Sequence, residues 1–90
     1  MPYLKLQHKG VAKKLLDEAS SILMSPGMLN YLLTSVCLTY LQKKGEEKGS
    51  PSYSDFSEVI GALESAKLEF YRRAVVPYED EKIKHNGDVY

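Results

Sequence analysis

The stretch from Ser54 to Asp80 repeats its apolar residues every three or four positions, a spacing that an amphipathic α-helix satisfies and a strand does not. Asp55 followed by Glu58 reads as a variant capping box, with Ser54 as an equally good cap, and Pro77 is expected to end the helix. This predicts helix 3 over about 55–76, roughly 33 Å long. Its apolar stripe is Phe56, Val59, Ile60, Leu63, Ala66, Phe70 and Ala74.

Two further helices are predicted before it. Apolar residues at helical spacing indicate helix 1 over about 11–24. Ser25-Pro26 is a strong start signal, because serine caps the free amides of a first turn and proline suits the first helical position. Helix 2 should therefore run over about 26–44 with Gly45 as its cap, followed by a polar loop over 45–52.

The predicted fold class is all-α, since no strand-like alternation appears. A short N-terminal helix is expected to pack on a long antiparallel two-helix hairpin within one domain, 1–90, that ends in a tail over 77–90. A chain of 90 residues with 43% hydrophobic content leaves much apolar surface unburied when it folds alone. We therefore expect a homo-oligomer.

Charge excludes several kinds of partner. Twelve basic and twelve acidic residues give a formal net charge of zero, so no overall field attracts a DNA or RNA polymer or an anionic membrane. The first ten residues lack a signal-peptide pattern, and no apolar run approaches the length of a membrane span. The expected location is the cytoplasm, that of the host cell if a phage encodes the protein.

An anion site is predicted where helices 2 and 3 meet. Antiparallel pairing at equal rise brings Gly27 near Arg72, so that the amides and the Ser25 hydroxyl at the start of helix 2 face guanidinium groups. Arg73 flanks the apolar stripe, whereas Arg72 points away from it and would act across a subunit boundary. The candidate ligand-binding residues are Arg73, Arg72, Lys67, Tyr71, Tyr31, Ser25 and Gly27, the two tyrosines as stacking platforms for a base.

A structural alternative accounts for the same arginines. Arginines in a last turn stabilise the helix dipole, and Glu69, Glu79 or Asp80 would satisfy them as surface ion pairs. No nucleophile motif, metal-ligand spacing or phosphate loop is present, so we expect neither an enzyme nor a cofactor or metal.

The segments SPGMLNYLLT, YSDFSEVIGALESAKLEFYRRAVVPYEDEKI and NGDVY resemble a family of short uncharacterised proteins of phages and bacterial genomes. PG-x-LNY and KLEFYRR-x-x-x-PYED carry the likeness, which runs from Met1-Pro2-Tyr3 to Tyr90. The helix ending in ALESAKLEFYRR is also similar in style to small phage proteins that sequester cyclic-nucleotide immune signals as homo-oligomers.

The function expected from these observations is non-catalytic binding of a small anionic, cyclic nucleotide, a sponge that counters bacterial immune signalling. The alternative is a protein-interaction adaptor or structural subunit that uses the apolar face of helix 2 and the C-terminal tail.

Overall fold

The computed structural model describes residues 5–90, so the Met1-Pro2-Tyr3 end of the resemblance lies outside the described residues. Within that range the chain is helical and contains no strand, which confirms the all-α class. The elements are α1 (Leu6–Ala19), a 3-10 turn (Ser20–Ile22), α2 (Pro26–Lys48), α3 (Tyr53–Phe70), a π-helical segment (Tyr71–Val75) and α4 (Val76–Asn86). They divide into two units, Met1–Thr39 and Tyr40–Tyr90, and α2 runs from the first into the second.

The first unit contains α1, the 3-10 turn and the beginning of α2. α1 starts at Leu6, earlier than the predicted 11, because lysine, leucine and glutamine favour a helix and an isolated glycine does not break one. α2 begins at Pro26, where the sequence placed it. The Met28 amide donates to the Ser25 hydroxyl oxygen over 3.1 Å, so Ser25 caps this helix.

The second unit begins with the end of α2, which extends to Lys48 and not to 44. The predicted cap at Gly45 is wrong, because Gly49 is the residue with positive φ (+94°), and its amide donates to the Gly45 carbonyl over 2.7 Å. Gly45 lies inside the helix for a different reason. A Cβ there would lie 3.2 Å from Cδ of Pro51, so glycine makes room for the loop that follows.

Asp55 organises the connection between α2 and α3. It is the one buried residue among residues 5–90. Its carboxylate accepts a hydrogen bond from Lys48 Nζ at 2.7 Å and another from the Ser52 amide at 2.9 Å. These two donors, Lys48 first, lower the pKa of Asp55 from 3.8 to about 2.

The start of helix 3 therefore differs from the prediction. α3 begins at Tyr53 with Ser52 as its N-cap, so Asp55 is the third helical residue and reaches back to the cap amide. The predicted caps at Ser54 and Asp55 lie too late in the chain by two and three residues. By sequence spacing, several adjacent acidic and hydroxyl residues could each serve as the N-cap. The ion pair between Lys48 and Asp55 fixes Asp55 as the third helical residue and hence Ser52 as the cap.

The helix also continues past Pro77, where the sequence predicted its end. The π-helical segment leads directly into α4, which occupies most of the predicted tail and stops at Gly87 (φ +82°). The Gly87 amide donates to the Ile83 carbonyl over 2.8 Å and closes the last turn.

No apolar side chain is buried anywhere in residues 5–90. Helix ends in this chain are fixed by local polar contacts, whereas a hydrophobic core is not formed by the described residues of one copy. The antiparallel hairpin and the oligomeric state both stay predictions.

Replacing Asp55 by asparagine should destabilise the fold, because the amide keeps the shape but removes the charge that Lys48 contacts. We expect the Tm of Asp55→Asn to fall by several degrees at neutral pH. Because the folded pKa lies below the ordinary value, the contribution of Asp55 is complete above about pH 4 and is lost as the pH falls toward about 2. The Tm difference from wild type should therefore shrink over that range, which circular dichroism measures.

Asp17→Asn is the matched control, since Asp17 is exposed and lies 3.7 Å from Lys13 in a surface ion pair. It should change the Tm little at any pH. Equal Tm values for both variants at neutral pH would contradict the role given to Asp55.

Candidate functional site

Three of the predicted site residues, Tyr71, Arg72 and Arg73, lie on the π-helical segment. Here the Val76 amide donates to the Tyr71 carbonyl, five residues back. Pro77 explains this local widening, because proline has no N–H and its ring crowds the carbonyl four residues earlier, that of Arg73. One extra residue in the turn relieves the clash and lets the helix continue. Such segments are rare and occur frequently at functional sites.

A single carboxylate oxygen, Oε1 of Glu69, accepts hydrogen bonds from both arginines. The contact with Arg72 measures 2.7 Å, and Arg73 donates through Nε. These two bonds, Arg73 first, lower the pKa of Glu69. The structural alternative, in which a surface carboxylate pairs with these arginines, is therefore observed for Glu69.

This pairing leaves most of each guanidinium available. Arginine carries five N–H donors, and each of these two makes one hydrogen bond to another side chain within the described part of the chain. The side chains of Arg72 and Arg73 remain 66% and 71% exposed, against 28% for Glu69. Their planar donor groups thus lie on the surface, held at one end by a carboxylate.

Glu79 contacts the tyrosine and not the arginines. The Tyr71 hydroxyl donates to Glu79 Oε1 over 3.2 Å, which links the π-helical segment to α4. The charge of Glu79 raises the pKa of Tyr71, so the phenol stays protonated and remains a donor. Sequence reasoning missed this pair because it placed the helix end at Pro77 and so gave Glu79 no place on the helix that carries Tyr71.

The other predicted site residues lie away from the π-helical segment along the chain. Lys67 lies 3.7 Å from Glu64 on the same helix and is exposed. Ser25 caps α2, and a Cβ on Gly27 would contact its hydroxyl oxygen at 3.9 Å. Tyr31 is exposed.

These residues divide between the two units. Ser25, Gly27 and Tyr31 belong to the first unit, and Lys67 and the residues on the π-helical segment belong to the second. Within the second unit the structure joins Arg72 and Arg73 through Glu69. The predicted meeting of Arg73 with the start of α2 stays a prediction.

A shallow apolar groove lies along one side of α3. It is lined by Tyr53, Phe56, Ser57, Ile60 and Gly61. These positions recur at helical spacing, so the groove belongs to a single helix surface. It offers an apolar contact surface with few polar atoms.

Residues 5–90 contain neither a membrane-spanning helix nor a cluster of metal ligands. No helix there is both long and apolar enough to cross a membrane. No group of three or more His, Cys, Asp or Glu side chains in the same residues is placed to hold a metal ion.

A family model described as a domain of unknown function, DUF6899, matches residues 1–89. The chain belongs to the DUF6899 family. The match covers nearly the whole chain, so the Asp55 connection and the π-helical segment both lie within the DUF6899 domain. No curated protein and no solved structure matches this DUF6899 chain.

Pro77→Ala should restore an ordinary α-helical turn, because alanine supplies the missing amide and removes the ring that crowds Arg73. We expect stability to rise by up to about 3 kcal/mol, the range separating proline from alanine inside a helix. Nuclear magnetic resonance should show the Val76 amide changing its hydrogen-bond acceptor.

Pro26→Ala is the control, since proline at a first helical position loses no hydrogen bond. It should leave the unfolding free energy nearly unchanged. An unaltered Val76 amide in Pro77→Ala would show that proline is not the cause of the π-helical segment.

Proposed function

We propose that this DUF6899 protein is a non-catalytic binding protein that functions as a homo-oligomer, with its helices contacting each other's apolar faces. The observation that carries the proposal is the absence of any buried apolar side chain in residues 5–90. Large hydrophobic residues are exposed on every long helix, among them Leu15, Leu33, Ile60 and Phe70. Such surface is unfavourable in water and favourable in an interface.

The number of exposed large side chains supports the same proposal. Leu15, Leu16 and Leu29 in the first unit are each at least half exposed, and so are Phe56, Ile60 and Phe70 in the second. Obligate homodimers bury apolar surface of this kind between their subunits, which are commonly unstable alone.

A second candidate function is capture of a small anionic nucleotide, as in a phage sponge that removes a cyclic-nucleotide immune signal. Its support is the pair of exposed guanidinium groups on the π-helical segment, which also carries Tyr71. Guanidinium forks bind phosphate through paired N–H donors, and an aromatic ring stacks on a base. Glu69 opposes this binding, because its carboxylate competes with phosphate for the same donors.

An adaptor role differs from both in its partner, a host or phage protein bound by α2 and the C-terminal segment. That segment is helical to Asn86, so it would present the α4 surface and the last four residues. Charged residues of both signs dominate this surface. It is therefore less suited to strong association than the apolar faces of the other helices are.

Native mass spectrometry should find the protein as an oligomer, and Ile60→Asp should shift it toward the monomer. Ile60 is 67% exposed in a single chain, so the substitution would be nearly neutral in a true monomer but buries a charge in an oligomer. We expect at least a tenfold weaker association constant.

Ser65→Asp adds the same charge to the same helix about 140° away from Ile60 and is the control, since Ser65 is also exposed in a single chain. It should disturb association less. A monomeric wild-type protein at micromolar concentration would contradict the proposed self-association.

Thermal-shift measurements with cyclic di- and trinucleotides, cyclic ADP-ribose variants and mononucleotides test the second candidate. One ligand class should raise the Tm of the wild type by several degrees, and the double variant Arg72→Ala with Arg73→Ala should lose that rise. Glu69→Gln should enlarge it, because both guanidinium groups then lack their competing carboxylate.

Lys43→Ala removes an equally exposed cation that lies 3.8 Å from Glu46, and it should leave the ligand response intact. A flat response of the wild type to every ligand in the panel would end the nucleotide hypothesis without affecting the proposed self-association.

A further inference from the structure

Glu69 occupies the position that an anion bound by both arginines would take, an observation that bears on the second candidate function. Its Oε1 atom accepts hydrogen bonds from both Arg72 and Arg73. Two nitrogens that bond the same oxygen are no more than roughly 6 Å apart, so one oxygen of a bound anion can contact both arginines. An anion that engages the two guanidinium groups together in this way must displace the carboxylate of Glu69.

We propose that the arginine pair binds a dianionic phosphate monoester, such as the terminal phosphate of a nucleotide, in preference to a phosphodiester. This ligand class rests on the second candidate function and narrows it. Glu69 carries one negative charge at neutral pH, because its bonds to the arginines lower its pKa. A phosphodiester in its place exchanges one negative charge for another, whereas a monoester brings nearly two. The exchange therefore favours the monoester.

The attachment of Glu69 to the same helix makes it a strong competitor. It precedes Arg72 and Arg73 by three and four residues, the spacing at which side chains on a helix are neighbours. A group held on a short tether has an effective concentration in the millimolar range. A monoanion at micromolar concentration displaces such a group poorly, so a successful ligand needs additional charge or additional hydrogen bonds.

The number of acceptor oxygens favours the same class of ligand. A phosphate monoester offers three terminal oxygens, one more than a phosphodiester. A guanidinium fork contacts two oxygens when it binds phosphate in the bidentate manner. Three oxygens, one of them shared, can serve the forks of both Arg72 and Arg73, whereas two oxygens serve one fork fully.

The neighbouring helices carry other ionisable groups, but these have partners of their own. Glu69 is the one acidic residue among residues 5–90 that forms an ion pair with either arginine. On α3, Lys67 pairs with Glu64. On α4, Glu79 accepts the hydrogen bond of the Tyr71 hydroxyl, and His85 contacts Glu81.

The ionisation of the ligand gives the preference a pH dependence. A phosphate monoester gains a proton near pH 6 and then carries one negative charge, as a phosphodiester does. Arginine stays charged throughout this range, and the lowered pKa of Glu69 keeps its carboxylate ionised. The affinity for a monoester should therefore fall as the pH decreases through about 6, whereas that for a phosphodiester should change little.

AMP and cyclic AMP are matched probes, because they share base and sugar and differ in the phosphate. In calorimetric titrations of the wild type at about pH 7.5, AMP should bind roughly tenfold more tightly than cyclic AMP. At about pH 5 the difference should shrink, because AMP has then lost most of its second charge.

Glu69→Gln tests the competing role of the carboxylate, since glutamine keeps the shape and removes the charge. Cyclic AMP should bind Glu69→Gln several-fold more tightly than it binds the wild type, and the preference for AMP should narrow. Glu64→Gln is the matched control, because Glu64 lies on the same helix but pairs with Lys67. It should leave both affinities unchanged.

The outcomes separate this ligand class from nucleotide capture in general. Equal binding of the two probes by the wild type, or tighter binding of cyclic AMP, would overturn the preference and leave nucleotide capture in place. An unchanged affinity of Glu69→Gln for cyclic AMP would show that Glu69 does not compete. Binding of neither probe to the wild type or to Glu69→Gln would overturn nucleotide capture as well.

Discussion

Apolar side chains on a short helical chain need a second surface to cover them, and the stability of the rest of the structure depends on that cover. The helices of residues 5–90 carry leucine, isoleucine and phenylalanine at helical spacing, yet none of these side chains is buried. Burial of one such side chain stabilises a protein by roughly 1.5–3 kcal/mol, so leaving the whole set in water would forfeit the main favourable contribution to folding. In the proposed homo-oligomer, a second copy provides the missing surface without a longer chain.

Polar contacts serve a different purpose, since they define where helices start, stop and change geometry. Ser25 caps α2, Gly49 ends it, and Asp55 connects it to α3 through Lys48 and Ser52. These contacts are local in sequence and form without a core. Local contacts alone give a helix little stability, and in the proposed homo-oligomer the packing of the apolar faces would supply the rest.

Sequence reasoning predicted the all-α class and the start of α2 at Pro26, because periodicity and capping act through neighbouring residues. It misplaced the end of α2 at Gly45, because spacing alone does not show that this glycine leaves room for Pro51 in the following loop. It ended the third helix at Pro77, because a π-helical turn that accommodates proline leaves no mark in the apolar spacing. At the candidate site it foresaw Glu69 as a partner of Arg73, but not that the same oxygen also binds Arg72.

The proposed self-association follows from the exposed apolar side chains, and the arginine pair is a second, separate feature of the same chain. If folding and association are one process, stability must depend on how much protein is present. The decisive measurement is the unfolding midpoint over a hundredfold range of protein concentration. The midpoint should rise steadily with concentration, and an identical midpoint at every concentration would contradict the account.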